Sequence, residues 1–207
     1  MPVRITFVNQ KGGVGKSTVA LLLAAVLNRV GYDVVIHDQD AQGTARYFAA
    51  RFGVRLFEAH PNAACVVTDT GGHMGDLAAM AGTVVEADKI ILVAEKGPAA
   101  VHASLPMARF IAAHISPSAR AYVLFNKVRS STTVGRQSGA GIAADLGLAA
   151  LQNEIALASA YEAAFVTGFG AVTGDHRTRL LAVALEIMQP PINHQTDNQT
   201  IKQSNNE

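Results

Sequence analysis

Lys11-Gly12-Gly13-Val14-Gly15-Lys16-Ser17-Thr18 decides how this chain is read. Before it, Val3, Ile5, Phe7 and Val8 make an apolar strand within residues 1–9, and after it residues 18–30 form an Ala- and Leu-rich helical stretch that stops at Gly31. The segment therefore joins a strand end to a helix start. Small residues there let main-chain N–H groups turn inward, while the helix start adds unsatisfied donors and a partial positive charge. Phosphate oxygens bind to such a combination. On this reading Lys11, Gly12, Gly13, Val14, Gly15, Lys16, Ser17 and Thr18 form an ATP site. Lys16 sits on the β- and γ-phosphates, Ser17 offers its hydroxyl to Mg²⁺, and Thr18 helps begin the helix. The common phosphate-loop pattern has glycine where Gln10 stands, so this is a variant loop with Lys11 added. By chance the pattern K-G-G-x-G-K-[ST] arises in such a chain on the order of once in ten thousand or less, which makes a mere glycine-rich turn the weaker reading.

Carboxylates follow in the places such a fold needs them. Residues 33–38 read as a second strand, with Asp38 and Asp40 in Asp38-Gln39-Asp40-Ala41-Gln42-Gly43 just past its end, where parallel sheets bind ligands. Residues 63–69 read as a third strand that ends in Asp69-Thr70-Gly71-Gly72, the arrangement of an aspartate that holds a Mg²⁺-bound water. Taken singly, each aspartate also fits a helix cap or a turn. Their joint order behind the phosphate loop favours the site.

These motifs, together with Asn126-Lys127, resemble the ParA/MinD family of deviant Walker A ATPases over residues 1–189, and most closely the short, ParF-like ParA partition proteins. The resemblance implies a P-loop NTPase fold and hydrolysis of ATP to ADP and phosphate in a nucleotide-switched homodimer, with Lys11 reaching across to the partner's phosphates. It gives Lys11, Lys16 and Asp40 the catalytic roles, Asp40 orienting the attacking water. Ser17 and, through water, Asp69 would hold Mg²⁺, Asp38 would support the loop lysines, and Asn126 would contact adenine. On its own, Asn126 reads equally as a cap at a strand end. The family's partners are nonspecific DNA and a ParB-like or other adaptor that stimulates hydrolysis. The function implied is positioning or segregation of plasmid or chromosome cargo. Two other readings stand beside it: a related ATPase accessory to conjugation or protein localisation that works through a protein partner, and a metabolic P-loop enzyme. No cysteine pair supports an iron–sulfur scaffold of the latter kind.

Three departures from the family pattern bear on the site. Ala41 replaces a proline, Gly71 and Gly72 stand where prolines are usual and give a looser loop, and only about thirty residues separate Asp38 from Asp69. That short interval implies loss of a peripheral helix or strand.

Composition agrees with one α/β domain. With 207 residues, 49% hydrophobic and 16% charged, the chain can bury a sizeable core. Strands at 89–94 and 119–125 alternate with helices at 99–114 and 134–146, a short strand at 150–155 follows, and helices at 159–165 and 176–188 close the domain. This alternation predicts a mostly parallel twisted sheet with helices on both faces. Cys65, the single cysteine, lies in an apolar run and reads as a buried structural thiol. His73, His102 and His176 have no metal-ligand spacing and read as surface or satisfied core histidines. No signal-peptide pattern precedes the first strand, so the expected location is the cytoplasm, with the ATP form associated with the nucleoid. Residues 190–207 read as a polar, disordered tail after Pro190-Pro191, with only Ile192 and Ile201 to offer a membrane. The net charge of +1 announces no nucleic-acid surface, so any DNA contact must be local. Lys127, Arg129, Arg136, Arg177 and Arg179 are the candidates, each equally readable as a solvated charge.

Overall fold

A computed structural model describes residues 1–72 and 77–189. His73 and the tail at 190–207, with the disorder and membrane expectations attached to it, lie outside the described residues.

Seven strands and seven α-helices are described: β1 (Val3–Val8), α1 (Lys16–Arg29), β2 (Val34–Asp38), α2 (Thr44–Phe52), β3 (Arg55–Leu56), β4 (Cys65–Asp69), α3 (Leu77–Glu86), β5 (Lys89–Ala94), α4 (Pro98–His114), β6 (Arg120–Phe125), α5 (Gly139–Ala144), β7 (Ala149–Ala150), α6 (Ser159–Thr167) and α7 (Gly174–Met188). They make one sheet in the order β3-β2-β4-β1-β5-β6-β7 with parallel pairing throughout. The sheet is thus more regular than the mostly parallel one expected.

Strand alternation sorts the core into two layers. Ile5, Phe7, Ile91, Val93 and Leu124 face the layer that contains α1 and α7. Val8, Ile90, Leu92, Val123 and Phe125 face the layer of α3, α4 and α5. This period of two, set by the pleat, explains why the strands read as continuous apolar runs: both faces are covered. Helix α1 is buried along nearly its whole length from Val19 to Leu27. A helix apolar all round needs neighbours on several sides, and α1 has the sheet, α2 and α7. Leu21, Leu22, Leu23 and Leu27 are fully buried, each contributing about 1.5–3 kcal/mol. The turn out of α1 is clamped by Asn28, whose Nδ2 donates to Val34 O at 3.0 Å while its Oδ1 accepts from Val34 N at 3.0 Å.

The connections depart from the sequence reading in two places. The helix expected at 134–146 is reduced to α5, Gly139–Ala144. Lys96 Nζ donates to Gly135 O at 3.0 Å and to Gln137 O at 2.6 Å, taking carbonyls that a helix would have used. The chain there folds back so tightly that a Cβ on Gly135 would collide with Arg129 O. The strand expected at 150–155 shrinks to Ala149–Ala150, because the amides of Gln152 and Asn153 turn to the Glu186 carboxylate on α7, at 2.6 and 3.0 Å. In the interval expected to have lost an element, α2 and β3 are both present.

Parallel register then aligns the strand ends that matter. Phe7 pairs with Asp69 and Asp38 also pairs with Asp69, so the loop after β1 and both carboxylates emerge at one edge. The chain winds from β1 outward to β2 and β3, and from β5 outward to β6 and β7. Such a reversal opens a crevice beyond the carboxyl ends of the central strands.

Replacing Asn28 with Ala leaves the Val34 main-chain groups without these partners. We expect a loss of about 1–3 kcal/mol in urea unfolding with nucleotide affinity retained, since Asn28 is remote from the crevice.

Candidate functional site

Six of the eight loop residues from Lys11 to Thr18, namely Gly12, Gly13, Gly15, Lys16, Ser17 and Thr18, line a cleft of about 550 Å³ together with Gln10, Asp40, Gln42, Thr44 and Gly72. The loop carbonyls have donors of their own. Asn126 Nδ2 donates to Val14 O at 2.8 Å, Lys127 Nζ to Gly13 O at 2.6 Å, and Val19 N to Gly15 O at 2.9 Å. The N–H groups of Gly12, Gly13, Val14 and Gly15 donate to nothing among the described residues. Gly15 has φ +92°, and a Cβ there would lie 2.5 Å from Asn126 Nδ2. Only glycine lets β6 approach this closely.

Lys16 opens α1 and is buried. Burial lowers its pKa, opposed by the negative charges of Asp69 and Asp40. Asp69, at the end of β4, is fully buried, and neither carboxylate oxygen has a hydrogen-bond partner among the described residues. Burial pushes it up to about 7; the Ser17 hydroxyl and Lys16 hold it down, and the charges of Asp38 and Asp40 add to the rise. An unpartnered buried carboxylate beside a hydroxyl is the oxygen donor set a hydrated divalent cation takes, so Ser17 and Asp69 fit Mg²⁺. Among the described residues no cluster of His, Cys, Asp or Glu forms a separate all-protein metal site.

Asp38 acts through the main chain. Its carboxylate accepts from Asp40 N at 2.9 Å and Arg46 N at 2.7 Å, and the Arg46 guanidinium returns to Asp38 O at 2.9 Å. It therefore fixes the Asp40 loop and satisfies an open N–H in the first turn of α2. Asp40 Oδ1 accepts from Gln42 N at 3.0 Å. The two glycines in place of prolines pass close to this chemistry: a Cβ on Gly71 would be 3.6 Å from Asp40 Oδ1, and one on Gly72 3.6 Å from Lys16 Nζ.

Beyond the loop, Gly15, Thr18, Asn126, Leu157, Tyr161 and Phe165 border a second hollow of about 280 Å³, continuous with the loop through Gly13 and Gly15 and lined by a tyrosine and a phenylalanine. Asn126 is thus both a clamp on Val14 O and a wall of this hollow.

The five basic candidates do not form one group by contact. Lys127 is drawn to the loop through Gly13 O and lies 3.9 Å from Glu95. Arg129 lines a depression with Lys96 and Lys127, and exposed Arg136 donates to Ser131 O at 3.0 Å. On α7, Arg177 donates to Val172 O at 2.8 Å and stacks over Phe169, whereas Arg179 is exposed. His102 is exposed, as expected. His176 differs: its ring packs on Tyr161 at 5.5 Å and its Nδ1 is buried without a partner among the described residues, so it is not satisfied by them. Cys65 is buried and its thiol is pushed up to about 12, in keeping with an inert structural role.

Asn9, Thr44 and Tyr161 were not singled out by the sequence, and Gln42 entered only as part of the motif after the second strand. For Asn9 a signal existed: it is a fully buried polar residue at the end of an apolar strand, directly before the loop.

A parallel sheet with a glycine-rich loop leading into the first helix, a buried lysine at that helix start and an aspartate on the neighbouring strand define a P-loop nucleotide-binding protein. The CobQ/CobB/MinD/ParA nucleotide binding domain matches residues 5–164, and the chain belongs to that family. It is 57% identical over 42 residues to the chromosome-partitioning ATPase Soj of Thermus thermophilus; that stretch is 20% of this chain and 17% of Soj. Among solved structures it is similar to a putative plasmid partition protein of Borrelia burgdorferi bound to AMPPNP, with a TM-score of 0.68, 15% identity, and coverage of 91% of this chain and 98% of that one. The cell division protein MinD of Aquifex aeolicus gives a TM-score of 0.68 at 15% identity, covering 90% and 97%. Among the described residues no helix is long and apolar enough to cross a membrane.

The raised pKa of Asp69 has a sign. The folded state holds this proton more tightly than the unfolded chain does, so between about pH 4 and 7 stability falls as pH rises, and the penalty is complete above pH 7. Asp69→Asn removes the buried charge. We expect the nucleotide-free variant to be more stable than wild type at pH 8, by on the order of a few kcal/mol at most, with the gap closing toward pH 4; equal denaturation midpoints at pH 8 would contradict this.

Proposed function

We propose that the chain is a Mg²⁺-dependent ATPase that acts as an ATP-dependent homodimer, binds DNA nonspecifically and positions or segregates plasmid or chromosome cargo. On this proposal a ParB-like or other adaptor resets it, and the ATP form associates with the nucleoid of the cytoplasm. One observation carries the reading. Lys16 and Ser17 line the cleft beside loop N–H groups without partners, Asp69 is buried next to them with neither oxygen partnered, and the ammonium of a second lysine, Lys11, has no hydrogen bond or ion pair, all among the described residues. A phosphoryl group leaving through a loose transition state needs positive charge more than covalent help. Lys16 supplies it from within the protomer; Lys11 is available to a second protomer's nucleotide.

Mg²⁺ would bridge phosphate oxygens and offset their charge, with the Ser17 hydroxyl and, through water, Asp69 as its holders. Asp40 would orient the attacking water, since Asp38 fixes its main chain and its second oxygen has no protein partner among the described residues. Asn126, with the hollow it lines, would take the adenine. Support for partition comes from the kinship with Soj over its short stretch and the fold shared with a plasmid partition protein. For DNA, Arg129 and Arg179 keep exposed charges suited to phosphate contacts, whereas Lys127, Arg136 and Arg177 each donate to a main-chain carbonyl.

Lys16→Ala should abolish ATP binding or lower turnover by a factor of about 100 or more. Lys11→Ala should keep ATP binding and lose dimerisation or hydrolysis, and Asp40→Ala should accumulate the ATP-bound dimer. Normal turnover in both lysine variants would refute the site. Retention on nonspecific DNA, measured with ATP, ADP and no nucleotide across salt concentrations, should be ATP-dependent, salt-sensitive and lost in Lys16→Ala. ATP hydrolysis with DNA ignored in every nucleotide state would replace DNA tracking with the accessory reading, in which the chain recruits a protein partner.

A further inference from the structure

We infer that Asn9, locked by Ser104 of α4, is a positioning residue for Lys11, so that α4 sets the geometry of the loop's added lysine; this rests on the ATPase reading above. Asn9 and Ser104 are both fully buried. Asn9 Nδ2 donates to Val93 O at 2.8 Å and to Ser104 Oγ at 3.0 Å, while Asn9 Oδ1 accepts from Lys11 N at 2.9 Å. Ser104 Oγ in turn donates to Ala100 O one turn earlier in α4, at 2.9 Å.

Each partner fixes the next. The single hydroxyl proton of Ser104 goes to Ala100 O, so its oxygen faces Asn9 as an acceptor. Two acceptors, Val93 O and Ser104 Oγ, then demand the NH₂ side of the amide, which leaves Oδ1 for Lys11 N. A flipped amide would set NH₂ against that N–H and a carbonyl against two acceptors. Gln10 Nε2, 3.5 Å from Ala103 O, reaches the same turn of α4. The two residues before Lys11 are therefore tied to α4, whereas Gly13 and Val14 are tied to the end of β6 through Lys127 and Asn126. Lys16 has no part in the Asn9 network, being placed by α1. Loss of Ser104 should consequently affect what Lys11 does and spare what Lys16 does.

The test is a double-mutant cycle of Ser104→Ala and Lys11→Ala, with Ser104→Cys as a volume-conserving second variant should the alanine chain fold poorly. The Kd for a non-hydrolysable ATP analogue, KM and kcat are measured for each. Ser104→Ala is expected to lower kcat about 3–10-fold with KM and analogue Kd within about twofold of wild type, an effect of the size a lost hydrogen bond gives, and to have no further effect once Lys11 is Ala. An equal drop in both backgrounds, or parallel loss of analogue binding, overturns the inference. Amide hydrogen exchange at Lys11 in the nucleotide-free protein is the readout that does not need activity. Protection in wild type that falls tenfold or more in the Ser104 variant supports the inference, and unchanged protection overturns it. If wild type turns over no ATP, the ATPase reading fails by itself, and the exchange result alone decides whether Ser104 positions Lys11.

Discussion

A loop that offers its N–H groups to an anion must turn its carbonyls the other way, and those carbonyls then need donors. The site depends on how this chain meets that requirement. The Val14 and Gly13 carbonyls are held by Asn126 and Lys127 from the end of β6, and the Gly15 carbonyl by the first turn of α1. These bonds hold the loop in shape without a ligand, so binding need not also meet the full entropic cost of ordering it. They also explain the glycine at position 15: the amide of Asn126 occupies the space a side chain would fill.

Charge is arranged around that frame so that the protein's own groups leave the cleft electrostatically unfinished. Lys16 and Asp69 are both taken out of water, and both are shifted toward their neutral forms by burial. Neither Asp69 oxygen has a hydrogen-bond partner among the described residues, and the nearby Ser17 hydroxyl and Lys16 offset only part of its desolvation. A buried carboxylate without a partner lowers stability, and a cation with its waters would relieve that strain. The fold thus gives up some stability in the nucleotide-free state at the place where chemistry is expected, which is where buried carboxylates with shifted pKa values tend to gather. Nearby, Asp38 spends its carboxylate on main-chain amides and keeps Asp40 in place.

Much of this was legible in order along the chain. The apolar runs of β1, β4, β5 and β6 read directly, because strands covered on both faces must be apolar throughout, and the glycine-rich loop has few other uses. What escaped was set by contacts from far away in sequence. Residues 134–138 have helix-forming neighbours, yet Lys96, from the loop after β5, takes their carbonyls. Residues 152–153 look like strand, yet Glu186 on the last helix takes their amides. Helix α2 was missed although Ala45, Phe48, Ala49 and Phe52 recur at helical spacing, because it is only nine residues long, starts at Gly43 without a side-chain cap, and is buried by α1 and α6 from elsewhere in the chain.

By itself, the sequence determined the parallel α/β class, the phosphate loop, the family and the identity of the lysines and carboxylates, since these follow from local pattern and from the few residue types that can do such chemistry. Tertiary structure decided which of them meet. Register placed Asp38 and Asp69 level with the end of β1. The close approach of β6 drew Lys127, which read equally as a surface charge, against the loop, and α4 brought Ser104 to Asn9 across 95 residues. Hydrogen-bond donors and acceptors carry no periodicity that marks their distant partners; only the packing of strands and helices brings them within 3 Å of one another.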